Sequence, residues 1–316
     1  MMEPREIDWL HAVRSLAKVV GVSVLLFLAL NVAERLVVLH VDLDGERTAR
    51  VYGTAAQVVN PDKRFHGADL DEGLIRTVYT LRGEPRTAAP ARGETAYTVT
   101  ESLPGVEAPG LAEPERSALT EAVRAVEGEG GSGSPKDKQE LGEALDRLPP
   151  ALTAVAVVEF AWPLTAEKLV ALNRRHGLCG DESVSYVYSR HHYDDSDTVP
   201  LSNAVVWNRD MAWVLPWDEP AEYRCETEPE AALAAFRTWT GLLREGDDLA
   251  VFGLTRDELV DAAREGVAYG FVADRWRLAD LRKLLDDPDV RTVRVADLAF
   301  GLGTGPGAGI RPGGAR

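Results

Sequence analysis

The longest uncharged apolar run lies near the start of the chain. Val19 to Ala33 reads VVGVSVLLFLALNVA, with no polar face over four helical turns. Fifteen helical residues rise about 22 Å, short of a ~30 Å hydrocarbon core. The flanks supply the difference. Leu16 and Ala17 are apolar, Arg14 and Lys18 can snorkel, and Leu36 to Leu39 resume beyond Glu34-Arg35. Trp9 falls where an interfacial aromatic belongs. Three readings compete: an uncleaved membrane anchor, a cleaved signal peptide and a buried core helix. Asn31 and Ala33 make a poor cleavage site and the run lacks a polar side, so the anchor is preferred. Arg5, Arg14 and Lys18 precede the run, whereas close behind it only Arg35 follows. The basic flank therefore predicts a cytoplasmic N-terminus and an exported remainder.

Beyond the run, periodicity divides the chain further. Residues 1–18 form the tail, 19–41 the membrane helix and its extension, and 42–100 a juxtamembrane segment. In that segment Asp44 caps a helix carrying Val51, Tyr52, Ala55, Ala56, Val58 and Val59, which Asn60-Pro61 stops. The stretch NPDKRFHGADLDEG reads as turns, Ile75 to Leu81 as a strand, and Tyr97 to Thr100 as another. Residues 101–150, rich in Pro, Gly, Glu and Ala, read as a flexible linker with short helices over Glu115 to Val126 and Lys138 to Leu148.

From Ala151 alternation gives way to stronger signals. Ala154 to Ala161 is a near-continuous apolar strand, followed by a helix over Ala166 to Arg175. Val184 to Tyr188 and Ala204 to Trp207 read as strands. Thr227 to Glu230 and Thr255 to Glu258 are capping boxes that open helices to about Arg244 and to Gly266. Val267 to Ala273, Leu278 to Asp286 and Val290 to Ala296 read as strand, helix and strand. The expectation for residues 151–301 is an α+β domain containing β-α-β units of α/β type, with a disordered tail over 302–316.

With these elements in place, the exported part resembles the membrane-anchored sigma factor regulators of bacteria. Four stretches carry the resemblance: VVNPDKRFHG, LIRTVYTLRGEPR, VAVVEFAWPLTAEKLVAL and VAYGFVADRWRLADLRKLLDDPDVRTVRVAD. It implies a short cytoplasmic tail, one membrane helix and a C-terminal extracytoplasmic α+β domain. It further implies a non-enzymatic regulator without a cofactor, acting through a second membrane or envelope protein. The chain departs from a complete regulator in one respect. The tail carries no Cys/His zinc pattern and is too short to occlude a sigma factor alone.

Composition narrows the partners. Lys and Arg total 35 against 51 Asp and Glu, a formal charge of -16, which repels phosphate backbones and excludes a general nucleic-acid binder. Two cysteines, Cys179 and Cys225, exclude an iron–sulfur cluster. In an oxidising compartment they read as a disulfide, against reactive thiols or metal ligands. His191, His192, Asp194, Asp195 and Asp197 hold metal-ligating groups close together. Neighbouring residues on a strand point to opposite faces and no H-x-x-x-H spacing occurs, so a solvated acidic loop is the preferred reading. Trp162, Trp207, Trp213 and Trp217 offer an aromatic face for a glycan or protein, against loop packing. No G-x-S-x-G or S-x-x-K is present. Two alternatives to a sensor stay open: a metal-dependent envelope hydrolase using the His191 to Asp197 loop, and a wall-glycan module using the tryptophans.

Overall fold

The computed structural model describes residues 9–40, 44–73, 76–90, 93–102, 104–112, 115–127, 135–176, 184–190, 192–193, 200–212, 215, 218 and 228–300. The chain opens with a 32-residue helix, α1 (Trp9–His40). α2 (Gly45–Thr48) continues through a π-helical turn, Ala49–Gly53, into α3 (Thr54–Val59). A four-stranded antiparallel meander follows: β1 (Lys63–Glu72), β2 (Arg76–Pro85), β3 (Thr95–Ser102) and β4 (Gly105–Glu107). Two helices come next, α4 (Ala118–Arg124) and α5 (Pro135–Asp146). The remainder runs β5 (Leu152–Thr165), α6 (Ala166–His176), β6 (Ser185–Ser189), β7 (His192–Tyr193), β8 (Pro200–Ser202) and β9 (Val205–Trp207). A 3-10 turn (Arg209–Ala212), α7 (Glu228–Thr240), α8 (Arg256–Glu265), β10 (Val267–Arg277), α9 (Leu278–Leu284) and β11 (Val290–Phe300) complete it.

The main sheet has the order β11-β5-β10-β6-β9. β5 and β6 both pair antiparallel with β10, and β10 and β11 are both antiparallel to β5. The units β5-α6-β6 and β10-α9-β11 are therefore two split β-α-β motifs that interleave, the connectivity of ferredoxin-like sheets, with β9 added at one edge. This is a mixed α+β fold, as the patterning predicted. β5 is apolar on both faces because both are covered. Ala154, Ala156, Val158 and Phe160 join the core beneath the helices, whereas Val155 and Val157 meet Leu119, Ala122 and Val123 of α4 on the other side.

Capping is as the sequence indicated. Asp44 accepts from the Arg47 N–H at 3.2 Å, and the Thr255 hydroxyl accepts from the Glu258 N–H at 3.3 Å, each cap worth about 1 kcal/mol. Gly266 ends α8 in the left-handed region at φ 62°, where a side chain would be strained. The Thr227 to Glu230 box begins at Thr227, outside the described residues, and its helix ends at Thr240 rather than Arg244. Gly177, the expected helix stop, and the tail over 302–316 also lie outside the described residues.

Two expectations are corrected. The stretch read as turns, NPDKRFHGADLDEG, contains β1. Phe65 and Leu70 differ in parity, so strict alternation would place them on opposite faces. A bulge between Gly67 and Asp69 resets the pairing, so Phe65 lies opposite Gly83 and Leu70 opposite Tyr79, on one face. The segment read as a flexible linker supplies Val106, Ala108, Leu111, Leu119 and Val123 to buried clusters.

The juxtamembrane part and the β5–β11 sheet share one core. Tyr52, Val58, Tyr79, Leu81, Val99 and Leu111 belong to the same cluster as Trp207, Phe236 and Phe252. The π-helical turn packs tightly on the meander: a Cβ at Gly53 would lie 2.4 Å from the Tyr79 ring. Ion pairs join the two parts as well. Arg47 contacts Asp247 at 2.5 Å and Arg50 contacts Asp218 at 2.8 Å. The Trp239 indole N–H donates to the Arg50 carbonyl at 2.9 Å. Within the sheet, fully buried Glu159 is held by Arg291 at 2.9 Å and by Arg294, and it accepts the Glu127 N–H at 3.2 Å.

Candidate functional site

Of the predicted site residues, His192, Trp162 and Trp207 lie among those described. His192 lies in β7, whose backbone pairs with β8, while His191, Asp194, Asp195 and Asp197 lie outside the described residues. Among the described residues no group of three His, Cys, Asp or Glu side chains is placed to hold a metal ion. Cys179 and Cys225, like Trp213 and Trp217, lie outside the described residues. Trp162 is exposed. Trp207 is withdrawn from the proposed ligand surface because it is fully buried, stacked at 5.4 Å on Trp239 and tilted at 5.2 Å against Phe236. Its neighbour on β6, Tyr186, directly opposes it, so β9 turns this indole inward.

A polar groove lies at the C-terminal end of β6. Tyr188, Ser189 and Arg190 at the end of β6 face Glu258, Asp261 and Glu265 of α8, with Tyr269 of β10 at its floor, enclosing about 230 Å³. The Arg190 guanidinium lies 4.9 Å from the Tyr269 ring centre, a cation–π contact. Part of the acidic wall is already engaged. The Thr255 hydroxyl donates to Glu258 at 2.7 Å, and Asp261 pairs with Arg264 at 2.7 Å. The Ser189 hydroxyl donates to the Arg190 carbonyl at 3.4 Å.

Behind the groove lies a buried polar cluster that the sequence did not reveal. Tyr188 stacks on Phe236 at 5.2 Å and 5°, and its hydroxyl has no hydrogen-bond partner. Glu228, the first residue of α7, is 1% exposed, and neither of its carboxyl oxygens accepts a hydrogen bond. Among the described residues it is approached by Arg209, with Nη1 at 3.5 Å. Burial pushes the Glu228 carboxyl up to about 7; Arg209 opposes that shift and Asp210 adds to it. Burial likewise pushes the Tyr188 phenol far above its ordinary range. The T-E-P-E capping signal placed Glu228 in the first turn of a helix and carried no sign of its burial. The one hint of burial was the neighbouring run of aromatics on β6 and β9, which needs a polar or apolar cover.

At the other end of the molecule, α1 contains one segment long and apolar enough to cross a membrane. Val13–Val32 is 20 residues with a mean hydropathy of 2.1, and none of it is buried. Twenty helical residues rise about 30 Å, one hydrocarbon thickness. Among the described residues nothing covers this segment, unlike a buried core helix. The Asn31 amide donates to the Phe27 carbonyl at 2.8 Å within its own helix. Compared with known proteins, the chain matches no family model, no curated sequence and no solved structure.

Proposed function

We propose that the protein is a single-pass, membrane-anchored sensor with a cytoplasmic N-terminus and an exported α+β body, and that it regulates through protein partners rather than by catalysis. The observation that carries this reading is the contrast within one chain. The 20-residue segment Val13–Val32 of α1 is apolar on average and uncovered, while the elements from Asp44 onward bury a common core. An uncovered apolar helix of that length costs much in water and nothing in lipid. Arg14 and Lys18 on the N-terminal side favour an inside N-terminus, and the partner is a second membrane or envelope protein. The resemblance to sigma factor regulators names the class of output, transcription in response to an envelope signal.

The test separates anchor from receiver. Replacing Met1 to Lys18 by an unrelated basic segment leaves regulation intact, and deleting residues 151–301 abolishes it, as read by envelope-responsive transcription. The reverse pattern makes the tail the effector and overturns the reading. A reporter active only outside the membrane, fused after Arg316, is active; activity confined to the cytoplasm overturns the orientation.

A further inference from the structure

We propose that Glu228 is a proton-operated latch that holds the first turn of α7 against the β6–β9 end of the main sheet, so that the protein responds to the acidity around it. The inference takes its cellular meaning from the sensor reading; its chemistry stands apart from it. The geometry is that of a carboxyl group enclosed without a donor. Glu228 is 1% exposed, both oxygens lack hydrogen bonds, and Arg209 at 3.5 Å is too far for a close charge-assisted bond.

The surroundings offer little else to a charge. The groups acting on the carboxyl are Arg209 and Asp210 of the 3-10 turn, one favourable and one adverse. From β6 comes Tyr188, whose field also reflects Tyr186 and Arg237. Arg237, on the same helix, spends its Nε–H on the Ala263 carbonyl of α8 at 2.9 Å. Among the described residues α6 and α8, which pack on α7, bring no charged group to bear on the carboxyl. The following residue is Pro229, which has no N–H to give.

A neutral acid tolerates this enclosure, whereas a carboxylate without donors does not. The carboxyl accordingly keeps its proton to about 7. Above that, the proton passes to bulk water. The charge left behind admits water or lifts the first turn of α7 away from Tyr188. The sign follows from linkage. The unfolded chain loses this proton near the ordinary carboxylate value of 4.5. The stabilising contribution is therefore complete below that value and is lost as pH rises through about 7. Trp207, tilted against Phe236, and Trp239, stacked on it, lie beside Tyr188 and place a fluorescent reporter in the latch.

The experiment uses the full chain in detergent or lipid discs and follows thermal unfolding by tryptophan emission. In the wild type the midpoint falls by about 5 °C between about pH 5 and about pH 8. Glu228→Gln loses that fall and melts above the wild type at the higher pH. An unchanged fall in Glu228→Gln overturns the proposal. Should that variant fail to fold, infrared difference spectra of the wild type decide. A protonated, dehydrated carboxyl band that disappears across neutrality supports the latch, and absence of such a band overturns it. If the titration is present while deletion of residues 151–301 leaves transcription unchanged, the latch stands and the sensor reading falls.

Discussion

Arg64 on β1 and Asp274 on β10 meet as a two-bond fork, Nε to Oδ2 at 2.6 Å and Nη2 to Oδ1 at 2.5 Å, although 210 residues separate them. The bulge between Ala273 and Trp276 makes this possible. It turns Asp274 toward the meander and leaves Arg275 in the left-handed region at φ 52°, an uncommon conformation for a residue with a side chain. Buried Arg86 approaches the same carboxylate at 3.5 Å and donates to the Ser185 hydroxyl at 3.2 Å. Asp274 therefore fastens the meander to the main sheet through two arginines.

Removing that carboxylate takes an acceptor from both Arg64 and Arg86. Asp274→Ala lowers stability by about 3 kcal/mol in urea unfolding, because removing one member of a buried ion pair is strongly destabilising. Since the two parts share a core, tyrosine and tryptophan signals move together in both wild type and variant. Two separated transitions would show that the meander folds independently.

His176 donates through Nε2–H at 2.6 Å to the Asp287 carboxylate, which also receives Arg175 at 3.0 Å and the Asp289 N–H at 2.8 Å. Burial alone would raise the Asp287 carboxyl, but the His176 bond, the Asp289 N–H and Arg175 outweigh it and hold it below its ordinary value. A depressed carboxyl stabilises above its unfolded value and loses that contribution as pH falls through the folded one. Asp287→Asn therefore flattens the acid limb of the stability profile below about pH 4 and costs about 1–3 kcal/mol at neutral pH. Urea midpoints collected across that range check both statements.

The tryptophans separate by exposure. Trp207→Ala costs about 3–5 kcal/mol, since a fully buried indole leaves a cavity. Trp162→Ala changes stability by at most about 0.5 kcal/mol. Any glycan or partner affinity that depends on an aromatic face survives the first substitution in refolded protein and fails with the second. The opposite order would return Trp207 to the surface.

Cys179 and Cys225 provide a compartment test. Mass spectrometry of unreduced protein from membranes is expected to show them linked. Two freely alkylated thiols in fresh protein would reopen the reactive-thiol and metal readings.

What could be read from residues alone depended on whether pairing was regular. β5 was legible because covering on both faces made its run nearly continuous. The helices from Asp44 and Thr255 were legible through their caps, which are local in sequence. β1 was hidden because one bulge changes the parity of Phe65 and Leu70. Leu111, Leu119 and Val123 were hidden because each fills a separate gap within a Pro- and Gly-rich background. The burial of Glu228 was hidden for a different reason. A capping signal fixes where a helix begins, but the 3-10 turn bearing Arg209 and the sheet bearing Tyr188 decide whether that beginning meets water.

The short connection after α1 also sets a reach. With the apolar segment seated in lipid, the helical residues from Ala33 to His40 add about 12 Å. The three residues before Asp44 add about 11 Å at full extension. The folded body thus travels on a leash of little more than 2 nm. It patrols a thin shell over the bilayer and cannot search the depth of a cell wall. Within that shell, two tethered molecules meet at effective concentrations approaching millimolar, so contacts too weak to persist in dilute solution can still transmit a signal. Dissolving the membrane dilutes that advantage away. Cross-linking in intact membranes, rather than capture after solubilisation, is the way to find what this body touches.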